Sequence, residues 1–345
     1  EKKVENLVDK KAIAYAGIWN HINDAKFLSN LIENEIKVRY TEKIIKNGSL
    51  TLPHGSLIIY KGDQTNRNYE KILLELADNY KIQLHSINSG ISESGPDLGS
   101  DSVKLIKEKK VAILAGEGNS NSVSSLNYGA IWHFFEQELK YPLTHLDVEN
   151  FENIELDEFD TLIIPSGYYG TLGNEKNLEK IKLWVSRGGN LVAFENAIRI
   201  FTNKDGFSVK LKRNKTENKQ EDVKYEDLNR NRIQNYLSGA IFKVNLDNTH
   251  PLAFGYPNEY YSLKTSTSTY ENLNRGYNVG KINEDDDSTI GFVGDNIKDK
   301  FKNSLVFGHE KLGRGNMIYF TDNIMFRSFW ENGKLFLVNS IFFVN

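Results

Sequence analysis

The stretch that decides the fold is residues 190–197, Asn-Leu-Val-Ala-Phe-Glu-Asn-Ala, in which an apolar run passes directly into a polar turn. Before it, residues 175–187 carry apolar side chains at helical spacing, and Gly188 and Gly189 suit the left-handed backbone that ends a helix. A helix, a buried strand and a tight turn in succession predict an α/β sheet. The turn would expose Glu195 at the carboxyl edge of that sheet, where open α/β folds bind ligands.

Strands and helices alternate through most of the chain, which predicts an α/β fold made of two domains with mostly parallel sheets. We place the first, smaller domain at residues 1–104 and the second at 105–345. Between them, residues 88–102 are rich in Gly, Ser, Asp and Pro and contain few apolar side chains, as is typical of a linker.

The second domain contains two further features. Residues 202–234 are strongly polar, and we interpret them as a solvated insertion rather than a functional basic patch. From residue 240 to 320 short β-type segments predominate, so the domain has a β-rich C-terminal part. An amphipathic helix at residues 334–343 is expected to close the chain.

Composition limits the classes of function. The chain has 345 residues, Lys+Arg 43 against Asp+Glu 46 and a net charge of -3, without a basic stripe, so we expect no nucleic-acid partner. No apolar run approaches the ~20 residues that span a bilayer, so no membrane span is expected. Cys is 0, which excludes a thiol nucleophile and disulfides. Because the sequence opens on Glu1 without a signal peptide, we expect a mature product or a piece of a longer protein.

The turn at Glu195 is the first candidate site. A carboxylate there could act as a general base or a nucleophile if an acid partner and an oxyanion hole were close by. Alternatively, Glu195 forms only local hydrogen bonds. A Gly- and Ser-rich loop at residues 115–125 follows the first strand of this domain and could form the lip of the same pocket. The ligand-binding candidates are Gly116, Glu117, Gly118, Ser124, Ser125, Gly167, Tyr168, Glu195 and Asn196.

Two other motifs could carry a site. His133 and Glu136 have the His-x-x-Glu spacing of a zinc site, with His250 as a third ligand, but a helical wheel places His133 and Glu136 on a solvated face. We therefore expect no metal site and no cofactor. Arg327 lies among aromatic residues and could bind a carboxylate or a sugar, although such a segment more often ties neighbouring elements together.

Several stretches resemble the C-terminal, non-peptidase region of large secreted zinc carboxypeptidase-like proteins of the carboxypeptidase A type, found in Bacteroidetes-like bacteria. The resemblance covers most of the chain. It is carried by residues 37–40, 53–59, 62–63, 95–100, 116–118, 124–139, 141–142, 187–192 and 326–330.

The resemblance implies a second domain similar to the class I glutamine amidotransferase (flavodoxin-like) fold, an upstream peptidase domain as partner, and a periplasmic or extracellular location. It transfers no zinc ligand, and the amidotransferase cysteine is replaced by Glu195. Our leading hypothesis is a non-catalytic scaffolding or ligand-binding region. The alternatives are a carboxylate-based hydrolase that pairs Glu195 with a histidine, and a carbohydrate- or peptide-binding module suggested by Tyr 17, Phe 19 and Trp 4.

Overall fold

The computed structural model describes residues 6–212, 224–284 and 288–344. Its strands form two main sheets, each built from one part of the chain. The elements of the first part are β1 (Ala14–Gly17), α1 (Ile22–Glu33), β2 (Arg39–Thr41), β3 (Ile45–Asn47), β4 (Leu50–Leu52), β5 (Leu57–Tyr60), α2 (Tyr69–Tyr80), β6 (Leu84–Ile87) and β7 (Val103–Leu105).

The first sheet has the order β6-β1-β5-β2-β7, and every neighbouring pair is antiparallel. The expectation of a mostly parallel sheet is wrong here. β1 and β2, which α1 joins, are parallel to each other, but β5 lies between them. In the same way β1 lies between β5 and β6, which α2 joins. The first part therefore consists of two interleaved split β-α-β units. The alternation of its strands and helices was predicted correctly, but the pairing of its strands was not.

The Gly- and Ser-rich stretch at residues 88–102 connects β6 to β7, two strands of the first sheet, and does not link the two parts of the chain. Leu98 is buried, and the Tyr60 hydroxyl donates a hydrogen bond to its carbonyl. β7 then pairs with β2 at the edge of the sheet. The chain passes to the second sheet only after Leu105.

The second part begins at residue 111. Its elements are β8 (Val111–Ala115), β9 (Asn121–Val123), α3 (Ser125–His133), β10 (Thr144–Asp147), β11 (Thr161–Ile164), β12 (Gly167–Tyr169), α4 (Glu175–Arg187), β13 (Asn190–Phe194), α5 (Leu228–Gln234), β14 (Leu237–Leu246), β15 (Glu259–Lys264), β16 (Tyr277–Ile282), β17 (Thr289–Val293), α6 (Asp295–Phe301), β18 (Ser304–Leu312), β19 (Gly315–Phe320) and α7 (Glu331–Phe342).

The second sheet is 10-stranded, with a parallel half and an antiparallel half. The parallel half has the order β10-β8-β11-β13-β19. In chain order this is the 2-1-3-4-5 arrangement of flavodoxin-like folds, whose switch point lies between the first and third strands, here β8 and β11. The antiparallel half continues as β18-β16-β14-β15, with β17 beside β14. The predicted α/β class and β-rich C-terminal part are both present.

The segment that leads into β13 folds as its sequence predicts. Asn174 caps α4 by accepting a hydrogen bond from the Asn177 amide at 2.8 Å. Gly188 ends the helix with a φ of 127°, and a Cβ on Gly189 would lie 2.4 Å from the Trp184 ring. The glycine pair is therefore needed for both the turn and the close packing of α4 on β13.

The polar stretch at residues 202–234 is only partly a solvated insertion. Phe207 and Val209 are buried, and the Lys212 amide bonds to the Thr269 carbonyl at 2.9 Å. Because these apolar side chains alternate with polar ones in a charged stretch, composition alone did not indicate that the segment is packed. The exposed α5 agrees with the prediction, and residues 213–223 lie outside the described residues.

The two sheets share one hydrophobic cluster. The Trp19 indole donates to the Asn339 side-chain oxygen at 3.0 Å, and Asn339 in turn donates to the carbonyls of Leu252 and Phe254. Within the part of the chain that the structure describes, no helix has the length and apolar character needed to cross a bilayer.

Candidate functional site

The turn after β13 has the strained backbone of a nucleophile elbow. Glu195 has a φ of 45°, a conformation that costs a non-glycine residue about 1–3 kcal/mol. The chain continues as the 3-10 helix Glu195–Phe201, and the Tyr270 hydroxyl donates to the Glu195 carbonyl at 3.3 Å. The surrounding structure therefore holds the Glu195 side chain at the carboxyl edge of the parallel strands, as the sequence predicts.

Glu195 is half-buried and lies near both a hydroxyl and an ion pair. Burial raises the pKa of its carboxyl to about 7, and the negative charge of Asp322 adds to this effect. Hydrogen bonding by the Ser166 side chain and the positive charge of Lys264 act in the opposite direction. Near neutral pH, Glu195 therefore exchanges a proton readily, as a general acid or base must.

The ion pair joins Lys264, at the end of β15, to Asp322, which follows β19. Lys264 and Asp322 are 1% and 7% exposed, and the Lys264 Nζ lies 2.9 Å from the Asp322 Oδ1. The Ser262 hydroxyl donates to the other oxygen of Asp322 at 2.5 Å. Sequence reasoning missed these residues. The available signal was the alternation in β15, where Tyr260, Ser262 and Lys264 occupy the buried face.

Backbone and amide contacts position Ser166 beside Glu195. The Ser166 amide donates to the Asn127 Oδ1, and its carbonyl accepts from the Ser124 amide, both at 2.8 Å. Asn127 also donates to the Asn323 Oδ1 at 3.1 Å, which ties α3 to the chain after β19. Ser124 caps α3, and Gly167 pairs with Val123 between β12 and β9. The predicted Ser124 and Gly167 therefore flank the site.

Other predicted residues lie elsewhere. A Cβ on Gly116 would lie 3.1 Å from the Asp147 Oδ1, and one on Gly118 would lie 2.2 Å from the Glu149 side chain. Glu117, whose backbone forms an isolated β-bridge with Ser122, adds a further carboxylate. The side chains around this loop are therefore acidic. Ser125 is an exposed residue of α3.

A cavity of about 520 Å³ opens beside the elbow. Its lining includes the predicted Gly167, Tyr168 and Asn196, and Tyr168 is 70% exposed. Arg199 and Lys204 also line it, and sequence reasoning did not single them out. The 3-10 geometry after Glu195 explains the arrangement, since it directs Asn196 and Arg199, three residues apart, toward one side.

Histidines make no contact with the elbow in the part of the chain that the structure describes, where none of them hydrogen-bonds to Glu195. The alternative that pairs Glu195 with a histidine therefore stays a hypothesis without such a bond. His250 is buried and bonds to His309 at 3.0 Å, whereas His133 lies on α3 with its Nδ1 3.7 Å from Glu138. The zinc motif considered above therefore does not converge, and the described residues contain no group of three ligands for a metal ion.

The remaining motif is the aromatic segment near residue 327. Arg327 lies over the Phe326 ring at 5.2 Å, and the Trp330 indole donates to the Tyr260 hydroxyl at 3.0 Å. The tryptophan contact joins this segment to β15, as expected of a segment that ties neighbouring elements together. Two tryptophans bear on the binding-module alternative: Trp184 is buried, and Trp132 is 37% exposed.

No protein-family model matches the chain, and no curated protein matches it. Among solved structures it is similar to putative ThuA-like proteins from Bacteroides uniformis (13% identity, 67% of this chain and 89% of that one, TM-score 0.39) and Parabacteroides merdae (10%, 69% and 93%, 0.41). It is also similar to a glutamine amidotransferase from Thermotoga maritima (10%, 64% and 77%, 0.39). Likeness at this level assigns neither a family nor an activity.

Strand order shows the fold of the second part of the chain. Its parallel half has the arrangement of a flavodoxin-like α/β fold. Glu195 stands at the elbow of this sheet, and the ion pair of Lys264 and Asp322 lies in the same site.

Proposed function

We propose that this chain is a non-catalytic, ligand-binding region of a larger zinc carboxypeptidase-like protein, and that it binds a small polar ligand at the carboxyl edge of its amidotransferase-like sheet. The observation that carries the proposal is the combination at the elbow. The turn is strained, and a cavity adjoins it. A carboxylate occupies the elbow position, and within the described residues no histidine bonds to it.

The cavity supports binding on physical grounds. Its volume of about 520 Å³ falls in the range of small-molecule sites, and polar side chains line it together with tyrosines. The buried ion pair of Lys264 with Asp322 and the amide contacts of Asn127 hold the elbow and the end of β11 in place. A rigid wall of this kind lowers the ordering cost of binding.

Hydrolysis assays test the non-catalytic part. The purified chain is incubated with glutamine and with short peptides, alongside Glu195→Gln and the exposed control Glu75→Gln. We expect no turnover by any of the three proteins. Turnover that disappears in Glu195→Gln and persists in Glu75→Gln would overturn the proposal.

The zinc carboxypeptidase-like parent is supported by the sequence resemblance. It would supply the peptidase domain on which this region packs, and a periplasmic or extracellular location. Reading the gene upstream of Glu1 tests this part. A signal peptide followed by a metallopeptidase domain is the expected result, and an initiator methionine close to Glu1 would overturn it.

A second candidate function is acid–base catalysis by Glu195 itself. The raised pKa of about 7 is the observation that favours it, because a carboxyl that titrates near neutral pH transfers protons efficiently. Lys264 would then replace the missing histidine as the charged partner. The same hydrolysis assays separate the two candidates, since this one requires turnover with a pH dependence set by Glu195.

A further inference from the structure

We infer that the cavity beside Glu195 binds a sugar-sized organic anion, whose charged group pairs with Arg199 and Lys204 and whose ring lies on Tyr168. This inference rests on the proposed function and names the chemical class of its ligand. Three observations carry it: the charge of the lining, the hydrogen bonds of Arg199 and the exposed ring of Tyr168.

The charged side chains that line the cavity are both positive. Arg199 and Lys204 both line it, and among the described residues no aspartate or glutamate does. Neither side chain forms an ion pair with a carboxylate within residues 6–212, 224–284 and 288–344. By contrast, the nearby Asp205 is turned to Lys182 at 3.5 Å. Two cations without a protein counterion favour an anionic ligand.

Neutral partners orient the guanidinium of Arg199. Its Nη2 donates to the Ser268 hydroxyl at 2.7 Å, and the Tyr270 hydroxyl is a second hydrogen-bonding neighbour. These contacts fix the side chain without neutralising its charge. The remaining N–H groups keep the fork geometry that binds a carboxylate or a phosphate through two hydrogen bonds.

The exposed tyrosine in the lining suits a ring. Tyr168 is 70% exposed and lies next to glycines in the lining. A Cβ on Gly170 would lie 2.7 Å from the Ser120 carbonyl, so the tight backbone there requires glycine. An exposed tyrosine ring together with the amide of Asn196 offers an apolar face and hydrogen bonds, which is the combination that a sugar ring needs.

Calorimetric titration of the full chain tests the inference with sugars of matched shape. D-glucuronate and glucose 6-phosphate are compared with D-glucose, so that a carboxylate and a phosphate are distinguished from each other and from a neutral ring. We expect at least one anion to bind, and to bind about 10-fold or more tightly than glucose, because a hydrogen-bonded charge pair has that magnitude.

Variants locate the site. Arg199→Gln and Lys204→Gln should each weaken binding of the anion about 10-fold, with little effect on glucose. Arg187→Gln is the matched control, since Arg187 is an exposed residue of α4 that pairs with Asp157 at 2.8 Å. Tyr168→Ala should weaken the charged and neutral sugars alike. Circular dichroism confirms that each variant folds.

Three results would overturn the inference. The first is equal affinity for glucose and the anions. The second is binding that Arg199→Gln and Lys204→Gln leave unchanged. The third is no saturable binding of either anion up to about 10 mM, a very weak affinity for a formed site. Binding of glucose alone would refute the anionic ligand and leave the proposed binding function intact, whereas turnover that depends on Glu195 would refute the proposed function itself.

Discussion

Replacing Glu195 with glutamine should stabilise the protein at alkaline pH. The ordinary pKa of a glutamate is 4.5, and burial beside Asp322 raises that of Glu195 to about 7. Each pKa unit corresponds to about 1.4 kcal/mol, so ionising this carboxyl in the folded state costs about 3 kcal/mol. Glutamine has nearly the same shape as the protonated side chain, and it never pays this cost.

The pH dependence follows from the direction of the shift. Below pH 4.5 the carboxyl is protonated in both the folded and the unfolded chain, and it contributes no difference in stability. Between about pH 4.5 and 7 the unfolded chain ionises first, so the wild-type protein loses stability as pH rises. Above pH 7 both states are ionised, and the loss levels off. Glu195→Gln should lack this decline.

Urea unfolding at pH 5 and pH 8 measures the effect. The free energy of unfolding of Glu195→Gln should exceed that of the wild type by about 3 kcal/mol at pH 8 and by less than about 1 kcal/mol at pH 5. Glu75→Gln, at an exposed position on α2, corrects for the removal of one negative charge. An advantage that is the same at both pH values, or a loss of stability at pH 8, would refute the reasoning.

Three further predictions concern stability, each measured by urea unfolding. Lys264→Met should lower the free energy of unfolding by about 3–5 kcal/mol, because it leaves Asp322 buried without its cation. Adding Asp322→Leu should recover much of that loss. A mild effect of Lys264→Met alone would contradict the buried pair. Lys81 ends α2 with a φ of 62°, so Lys81→Gly should stabilise the protein by about 1 kcal/mol, and a loss would show that this strain is absent. Asn339→Ala removes the partner of the Trp19 indole and should lower the free energy of unfolding by about 2–4 kcal/mol. The variant should still unfold in a single transition, because the two sheets share one core. Two separate transitions would contradict that shared core.

The elements that sequence predicts well are those set by local pattern. α4 and β13 are recognised because apolar spacing and the Gly188–Gly189 pair act within a few residues. The elbow at Glu195 follows directly from this, since a strand that ends in polar residues must turn at the edge of its sheet.

Strand pairing in the first sheet could not be predicted in the same way. β5 separates β1 from β2 through contacts that join residues far apart in the chain. Local periodicity is the same whether a neighbouring strand is parallel or antiparallel, so alternation of strands and helices suggested the wrong pairing.

The candidate site shows the same division. Glu195, Gly167 and Asn196 were recognised from the turns that carry them. Lys264 and Asp322 meet across 58 positions of sequence, on strands whose proximity depends on the whole sheet. A lysine on the buried face of β15 was the one local sign, and its meaning depended on a partner that sequence did not identify.

Saturation-transfer NMR of one mixture tests the central claim most directly, because it reports binding and turnover together. The chain is mixed with D-glucuronate, glucose 6-phosphate, glutamine and a short peptide, and spectra are recorded over a day. We predict transfer from the protein to an anionic sugar, clearly reduced by Arg199→Gln, while the ligand resonances keep their intensity. Product resonances that appear with the wild type and vanish with Glu195→Gln would contradict a binding site that lacks catalysis.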